Sequence, residues 1–362
     1  MKTGRTIQEV AAEIIRQSQA KEDYLVNTGS LFMEVWDGQP MLHLRDGGGN
    51  ELVDPLDIQT TAHRQIGDYL EIPRKYYRRM LEDDAELLAY NVNRWLQRNP
   101  EQRMIRTMDG RARAFLSNRY RRIDNLDIAT ITLPIIEKIK GAIYESCELT
   151  EDYMYIKVVN PRLTAEVVPG DVVQGGVIIT NSETGQGSVC VQPLIYRLVC
   201  SNGMVVNDAR TRRYHAGRIA TTDEDFQIYS QETLDADDYA FAKKLQDTVK
   251  AAVNEAKFAA VLDKMRESKS AKLNTADIPS VVNLASSSFK ITEAESAGVL
   301  QHLIEGGDLT LYGLANAVTR YSQDVENYDR ASKLEAIGYQ VMTMSPKLFQ
   351  TINQMQPVSM AA

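Results

Sequence analysis

Between two runs of alternating side chains stands the dipeptide Asp109-Gly110. Both residues accept positive φ, and such a pair between alternating runs is the strongest short-range signal for a two-residue β-hairpin. Met104, Arg106 and Met108 lead in, and Arg111, Arg113 and Phe115 lead out. An all-helical fold is therefore excluded. Further β-run, turn, β-run units surround it. Residues 31–36 and 41–44 flank Asp37-Gly38-Gln39-Pro40. Residues 143–149 and 153–159 flank Thr150-Glu151-Asp152, and 172–180 and 188–199 flank a Ser-, Gly- and Thr-rich segment. Pro193 is expected to bar a clean central strand in the last of these runs.

Helical periodicity fills the intervals. Ile7, Val10, Ile14 and Ile15 recur at helical spacing over about 6–19. Residues 59–99 read as three helices, the third with Leu87, Leu88, Val92, Trp95 and Leu96 apolar and Asn99-Pro100 as its stop. Asp124 or Asn125 caps a helix through Ile139, which Pro134 should kink and Gly141 should end. Beyond about residue 225 the β pattern ceases. One long helix over ~236–268 is expected, then helices at ~292–304, ~309–321 and ~325–340. Together these features predict an α+β fold. Antiparallel hairpins packed with helices occupy 1–222, an all-helical region 223–340, and a flexible tail 341–362.

Charge sharpens the functional question. The chain carries a net charge of -8, which argues against a surface that coats nucleic acid all over. Yet residues 74–122 hold thirteen basic side chains against six acidic ones. Arginine offers a fixed charge, a planar fork that fits phosphate and a face that stacks on bases. Arg106, Arg111, Arg113, Arg119, Arg121 and Arg122, interleaved with Phe115 and Tyr120, therefore form a candidate nucleic-acid-binding wall. Simple alternation puts Arg111, Arg113 and Phe115 on one strand face. Arg197, Asn202, Arg210, Arg212, Arg213 and His215 form a candidate second wall. A charged strand face balanced by acids elsewhere explains the first wall equally in kind. Arg74, Arg78 and Arg79 around Tyr76 and Tyr77 read as solvated charges on a short helix.

Other chemistry finds little foothold. Gly47-Gly48-Gly49-Asn50 is followed by no GK[ST] and reads as a loop. The four histidines are scattered without metal-ligand spacing. Cys147, Cys190 and Cys200 lack CxxC spacing and fit buried free thiols in a reducing cytoplasm. Cys200 has no sequence-placed orienting partner for a nucleophile's role beside His215. The adjacent acids Asp83-Asp84 and Asp237-Asp238 suit helix starts better than a metal site. No catalytic residue, metal or cofactor is expected. There is no apolar run long enough to span a membrane and no secretory h-region.

Several motifs in order carry a resemblance. Ala62-x-x-Gln65-Ile66-Gly67, Ile72-Pro73-x-x-Tyr76-Tyr77-Arg78-Arg79-Met80 and Asn91-x-Asn93-x-Trp95-Leu96 are followed by Arg113-Ala114-Phe115-Leu116-Ser117-x-Arg119-Tyr120. Then come Arg197-x-Val199-Cys200-x-Asn202-Gly203-Met204, His215-x-Gly217, Leu311-Tyr312-Gly313-Leu314-x-Asn316-Ala317-Val318-Thr319 and Tyr328-Asp329-Arg330-Ala331. Over roughly 55–340 the chain resembles the phage- and plasmid-borne "domain of unknown function 932" family. The order of helix and hairpins over about 125–200 is also similar to phage single-strand annealing proteins of the RecT-like and Rad52-like group. That second resemblance implies a non-catalytic protein of phage or plasmid recombination. It would bind and anneal single-stranded DNA as a homo-oligomer in the bacterial host cytoplasm. The alternative expectation is a protein-interaction factor of a mobile element, a host-defence inhibitor or assembly protein, whose surface arginines bind an acidic protein and no nucleic acid. The C-terminal helices or tail are a further expected docking place for a protein partner.

Overall fold

Thr6 opens the first helix, α1 (Ile7–Ala20), through a capping box: its side chain accepts from the Glu9 amide and the Glu9 carboxylate accepts from the Thr6 amide. The computed structural model describes residues 1–120, 122–207 and 231–354. After α1 the chain builds a six-stranded sheet from β1 (Lys21–Asn27), β2 (Leu31–Trp36), β3 (Gln39–Leu44), β4 (Leu56–Ile58), β5 (Gln102–Met108) and β6 (Arg111–Ser117). The spatial order is β1-β5-β6-β4-β3-β2, antiparallel except where β4 meets β6. Asp109 and Gly110 adopt φ of 52° and 72°, and Asp37 and Gly38 adopt 48° and 79°, so both expected tight hairpins form. Between β4 and β5 lie α2 (Thr60–Tyr69), α3 (Arg74–Asp83) and α4 (Ala85–Leu96). Leu88, Val92 and Leu96 of α4 meet Leu31, Met33 and Ile105 of the sheet in one buried cluster.

A capping box at Asp124 starts α5 (Asn125–Ile136). The helix contains Pro134 and ends ahead of the expected stop at Gly141. A five-stranded antiparallel meander follows: β7 (Ile143–Leu149), β8 (Met154–Glu166), β9 (Val172–Asn181), β10 (Cys190–Arg197) and β11 (Asn202–Val205). Pro193 does lie in an internal strand, contrary to expectation. Its carbonyl accepts from the Val206 amide, so its missing donor also faces the β11 side. The paired residues of β11 begin opposite Leu194, one position later, and the ladder to β9 is untouched.

Strand alternation gives this second sheet two covered faces. Ile156, Val158, Val177 and Ile179 pack with Val10 and Ile14 of α1, Ile128 of α5 and Leu245 and Val249 of α6 (Gln231–Ala252). Tyr155, Lys157 and Val159 point the other way, toward α11 (Tyr328–Met342). The expected single helix over ~236–268 is two. It breaks before Asn254, whose side chain caps α7 (Glu255–Ser270). Then come α8 (Ile278–Ser288), absent from the sequence reading, α9 (Glu293–Gly306), α10 (Leu311–Tyr321) and α12 (Pro346–Gln354). The tail expected from residue 341 instead holds the end of α11 and, after a short break, α12, with Ile352 buried and Leu348 and Phe349 against the core. That core joins Val173, Ile195 and Met204 of the sheet to Val282, Val299, Leu334 and Val341. The helical region thus shares its apolar interior with the strands across the expected boundary at 222. Among the described residues no helix is long and apolar enough to cross a membrane.

Candidate nucleic-acid interface

The first expected wall turns inward at a bulge. Thr107 pairs with Ala112 and Arg106 with Ala114, so Arg113 is the extra residue on β6. The bulge breaks the alternation that placed Arg111, Arg113 and Phe115 on one face. Phe115 is 4% exposed and joins the helix-side cluster, its ring 5.2 Å from that of Tyr69. Arg113 is buried on the opposite side, its Nη1 donating to Glu183 Oε2 at 3.1 Å.

Glu183 sits on the loop between β9 and β10, where Asn181, Ser182, Glu183 and Thr184 are all buried. Its Oε1 accepts from the Asn125 amide at 2.7 Å and from Lys21 Nζ at 3.1 Å. Arg106, only 2% exposed, donates to Asp23 and Asp124, each at 2.7 Å, and to the Glu183 carbonyl at 3.0 Å. Burial pushes the Asp124 carboxyl up, but Arg106 and Lys21 outweigh it and hold it below the usual carboxylate range. Tyr120 is half-buried, its hydroxyl donating to the Ser182 carbonyl. These charges are spent inside the protein, which corrects the expectation that Arg106, Arg113 and Phe115 face a strand. Arg111, Arg119 and Arg122 remain exposed, with Arg111 near Asp57 and Arg122 near Asp23 at 3.6 and 3.5 Å. Arg121 lies outside the described residues.

The second expected wall is also corrected where it is described. Arg197 grips Asp171 with two N–H donors at 2.6 and 3.0 Å, and Tyr312 donates its hydroxyl to the same carboxylate. Asn202 is buried and donates to Thr319 and Asn316 of α10. Arg210, Arg212, Arg213 and His215 lie outside the described residues.

Exposed cations and aromatics meet instead on α3 and α4. Leu88, Val92 and Leu96 form the buried stripe of α4, at spacing i, i+4, i+8. One residue ahead in the chain, Leu87, Asn91 and Trp95 form a second stripe about 100° round the helix. Trp95 is 43% exposed, and the Arg98 guanidinium lies 5.1 Å from its ring centre. Tyr90 is 66% exposed and shares the far side of the helix with Arg94. On α3, Tyr77 and Met80 go inward, leaving Tyr76 46% exposed among Arg74, Lys75, Arg78 and Arg79. The pairs Arg78–Glu82 and Arg79–Asp83 are loose, at 3.7 and 3.6 Å on open surface.

The α4 helix is thus a ridge between two clefts. One, of about 720 Å³, lies toward α3 and the α2–α3 turn and contains Tyr76, Trp95 and Arg98. The other, of about 570 Å³, lies toward β2 and contains Tyr90 and Arg94. Helical periodicity places Trp95 in the apolar stripe, Arg94 and Arg98 enter the sequence argument only within the basic count over 74–122, and nothing in it marks Tyr90. The usable signal was the one-position offset between the Leu88-Val92-Leu96 and Leu87-Asn91-Trp95 stripes.

Over residues 114–349 the chain matches the family described as Domain of unknown function (DUF932). It belongs to the DUF932 family. No curated protein and no solved structure matches it. The DUF932 segment begins at Ala114, within β6, so the α3–α4 ridge and the motifs at residues 62–96 precede it. Inside the DUF932 segment two of the quoted motifs meet each other. Arg197 and Asn202 on the β10–β11 hairpin reach Tyr312, Asn316 and Thr319 of α10, either directly or through Asp171. Those residues seat the hairpin on the helix.

Proposed function

We propose that this DUF932 chain is a non-catalytic single-stranded nucleic-acid-binding protein whose strand runs over the α3–α4 ridge. One observation carries the reading: three exposed aromatic rings, Tyr76, Tyr90 and Trp95, stand among arginines on neighbouring helices. Cations on such a surface neutralise phosphates and release counterions. Each ring offers a base a stacking face worth about 1–3 kcal/mol. The unpaired bases of a single strand can reach those rings, whereas a duplex keeps its faces stacked. The fuller form of the proposal is strand annealing in phage or plasmid recombination, by a homo-oligomer in the bacterial cytoplasm. It requires assembly on DNA, which sedimentation with and without oligonucleotide measures.

The test of the basic reading is fluorescence anisotropy with a labelled single-stranded oligonucleotide over a salt series. Affinity should fall steeply with salt, and Trp95→Ala should weaken binding about tenfold, the loss of one stacked base. A flat salt response, or unchanged affinity in a folded Trp95→Ala/Arg98→Glu variant, sinks the proposal. Capture of a protein partner by the same ridge without DNA binding would favour the interaction-factor alternative.

A further inference from the structure

The cleft on the α3 side of the ridge has a polarity of its own. Its rings, Tyr69, Tyr76 and Trp95, are joined by Glu71, Glu101, Asn91 and Arg98. Asn91 spends its amide N–H groups internally, donating to the Leu87 carbonyl at 2.8 Å and toward Met80 sulfur at 3.4 Å. Its Oδ1 is the atom left for a ligand. Glu101 is held by Arg103, which donates to Oε1 at 2.9 Å, and by the Tyr69 hydroxyl, and the two together keep the carboxyl below its usual range. Arg103 is itself braced at 4.0 Å over the Tyr69 ring. The cleft therefore offers aromatic faces and a surplus of acceptors.

Glu71 adds a second, independent observation. It follows the end of α2 with φ of 57°, in the left-handed region. The Glu71 amide donates to the Asp68 carbonyl and the Ile72 amide to the Gly67 carbonyl, an arrangement that ends many helices on glycine. A side chain with a Cβ is disfavoured there. A strained non-glycine residue lining a cleft points to use of its side chain. Here that side chain is a carboxylate, with no ion pair among the described residues.

Resting on the strand-binding reading above, we propose that this cleft receives one unstacked nucleobase and selects bases that present an amino group. The base stacks against Trp95 or Tyr76, and its amino hydrogens meet the Glu71 carboxylate or Asn91 Oδ1. Cytosine, adenine and guanine each carry such a donor, whereas thymine and uracil turn two carbonyl oxygens and a single N–H toward the same acceptors. A mismatch of acceptor against acceptor leaves polar groups unpaired, which is where discrimination arises.

The test compares labelled oligo(dC) and oligo(dT) of about 15 nucleotides, a length within the range such surfaces cover, by anisotropy at one salt concentration. Both are pyrimidine strands of similar stacking area, so their ratio reports the base edge. Oligo(dC) should bind about fivefold tighter, the worth of roughly one net hydrogen bond. Glu71→Gly should lower the ratio toward one while raising the melting temperature, because it relieves the left-handed residue. Trp95→Ala should weaken both strands alike. Equal binding of the two strands by the unaltered protein overturns the base selection and leaves the strand reading standing. A dC preference that survives in Glu71→Gly overturns the role of that carboxylate. Failure of both strands to bind overturns both proposals.

Discussion

Glu183 on the β9–β10 loop receives Arg113 of β6 at 3.1 Å, and the side chains of both are at least 95% buried, at 5% and 2% exposure. This contact ties the second sheet to the first. Lys21 and the Asn125 amide complete the carboxylate's partners. A buried pair of this kind contributes modest net stability, but removing one member leaves the other charged, desolvated and unpaired. Glu183→Ala should therefore cost ~3–5 kcal/mol in denaturant unfolding. Arg111→Ala, on an exposed residue with its acid 3.6 Å away, should cost under about 1 kcal/mol. Equal effects of the two would refute the internal role assigned to Glu183.

Lys157 and Glu335 make a second such pair, 2.8 Å apart, with neither side chain exposed to solvent. Lys157 also lies 4.6 Å from the centre of the Tyr328 ring. Either Lys157→Met or Glu335→Leu alone should destabilise by ~3–5 kcal/mol. The double variant should recover most of that loss, because apolar groups of similar volume fill the site without a desolvation cost. Additive losses in the double-mutant cycle would show that packing, and not charge, is what the single variants disturb.

How much of this was readable in advance depends on the range of the interaction. Asp109-Gly110, the Ile7-Val10-Ile14 spacing and the Leu88-Val92-Leu96 stripe act within a few residues, and the elements they predict are present. The break at Asn254 was hidden because apolar spacing continues across it, and α8 is too rich in serine to show a strong stripe. The fate of the arginines was illegible for a different reason. Arg106 meets Glu183 across 77 positions and Asp23 across 83. No local pattern tells a cation destined for such partners from one left in water. A single bulged residue at Arg113 then reversed the face on which Phe115 lies.

His63 supplies a pH dependence. Burial lowers its pKa from 6.5 to about 4, and its ring shares a hydrogen bond with the Tyr77 hydroxyl at 2.9 Å. A folded value below the unfolded one means that the unfolded chain binds the proton more readily. The stabilising contribution is therefore complete above about pH 6.5, is lost as pH falls toward 4, and changes no further below that. The loss should amount to about 3 kcal/mol. Denaturant titrations at intervals across that window should show a shallower slope in His63→Phe. Parallel profiles for the two proteins would remove His63 from the account.

Gly313 allows α10 to begin where it does. A Cβ there would stand 1.8 Å from the Asp308 carbonyl oxygen, while the Gly313 amide donates to the capping Thr310 side chain. Gly313→Ala must shift the 308–310 turn and with it Tyr312, whose hydroxyl reaches Asp171. A loss of about 1–3 kcal/mol is expected. Exposed Gly306, with open space around it, should accept alanine with a gain or no loss, since it lies within α9. Thermal unfolding of both variants measures the contrast.

The division between buried and exposed arginines separates two classes of mutant. Arg106→Ala and Arg113→Ala should damage folding itself, because the first strands the half-buried Asp23 and Asp124 and the second the buried Glu183 at the junction of the sheets. Arg94→Glu and Arg98→Glu stand on open ridge surface and should leave the unfolding midpoint nearly unchanged. Under the strand-binding proposal those two variants should instead lower affinity and flatten its salt dependence. The slope of log affinity against log salt should shrink by roughly 0.7 for each phosphate contact removed from a single strand. An unaltered slope in the folded double variant Arg94→Glu/Arg98→Glu would place any bound strand elsewhere, with exposed Arg119 and Arg122 the next positions to reverse.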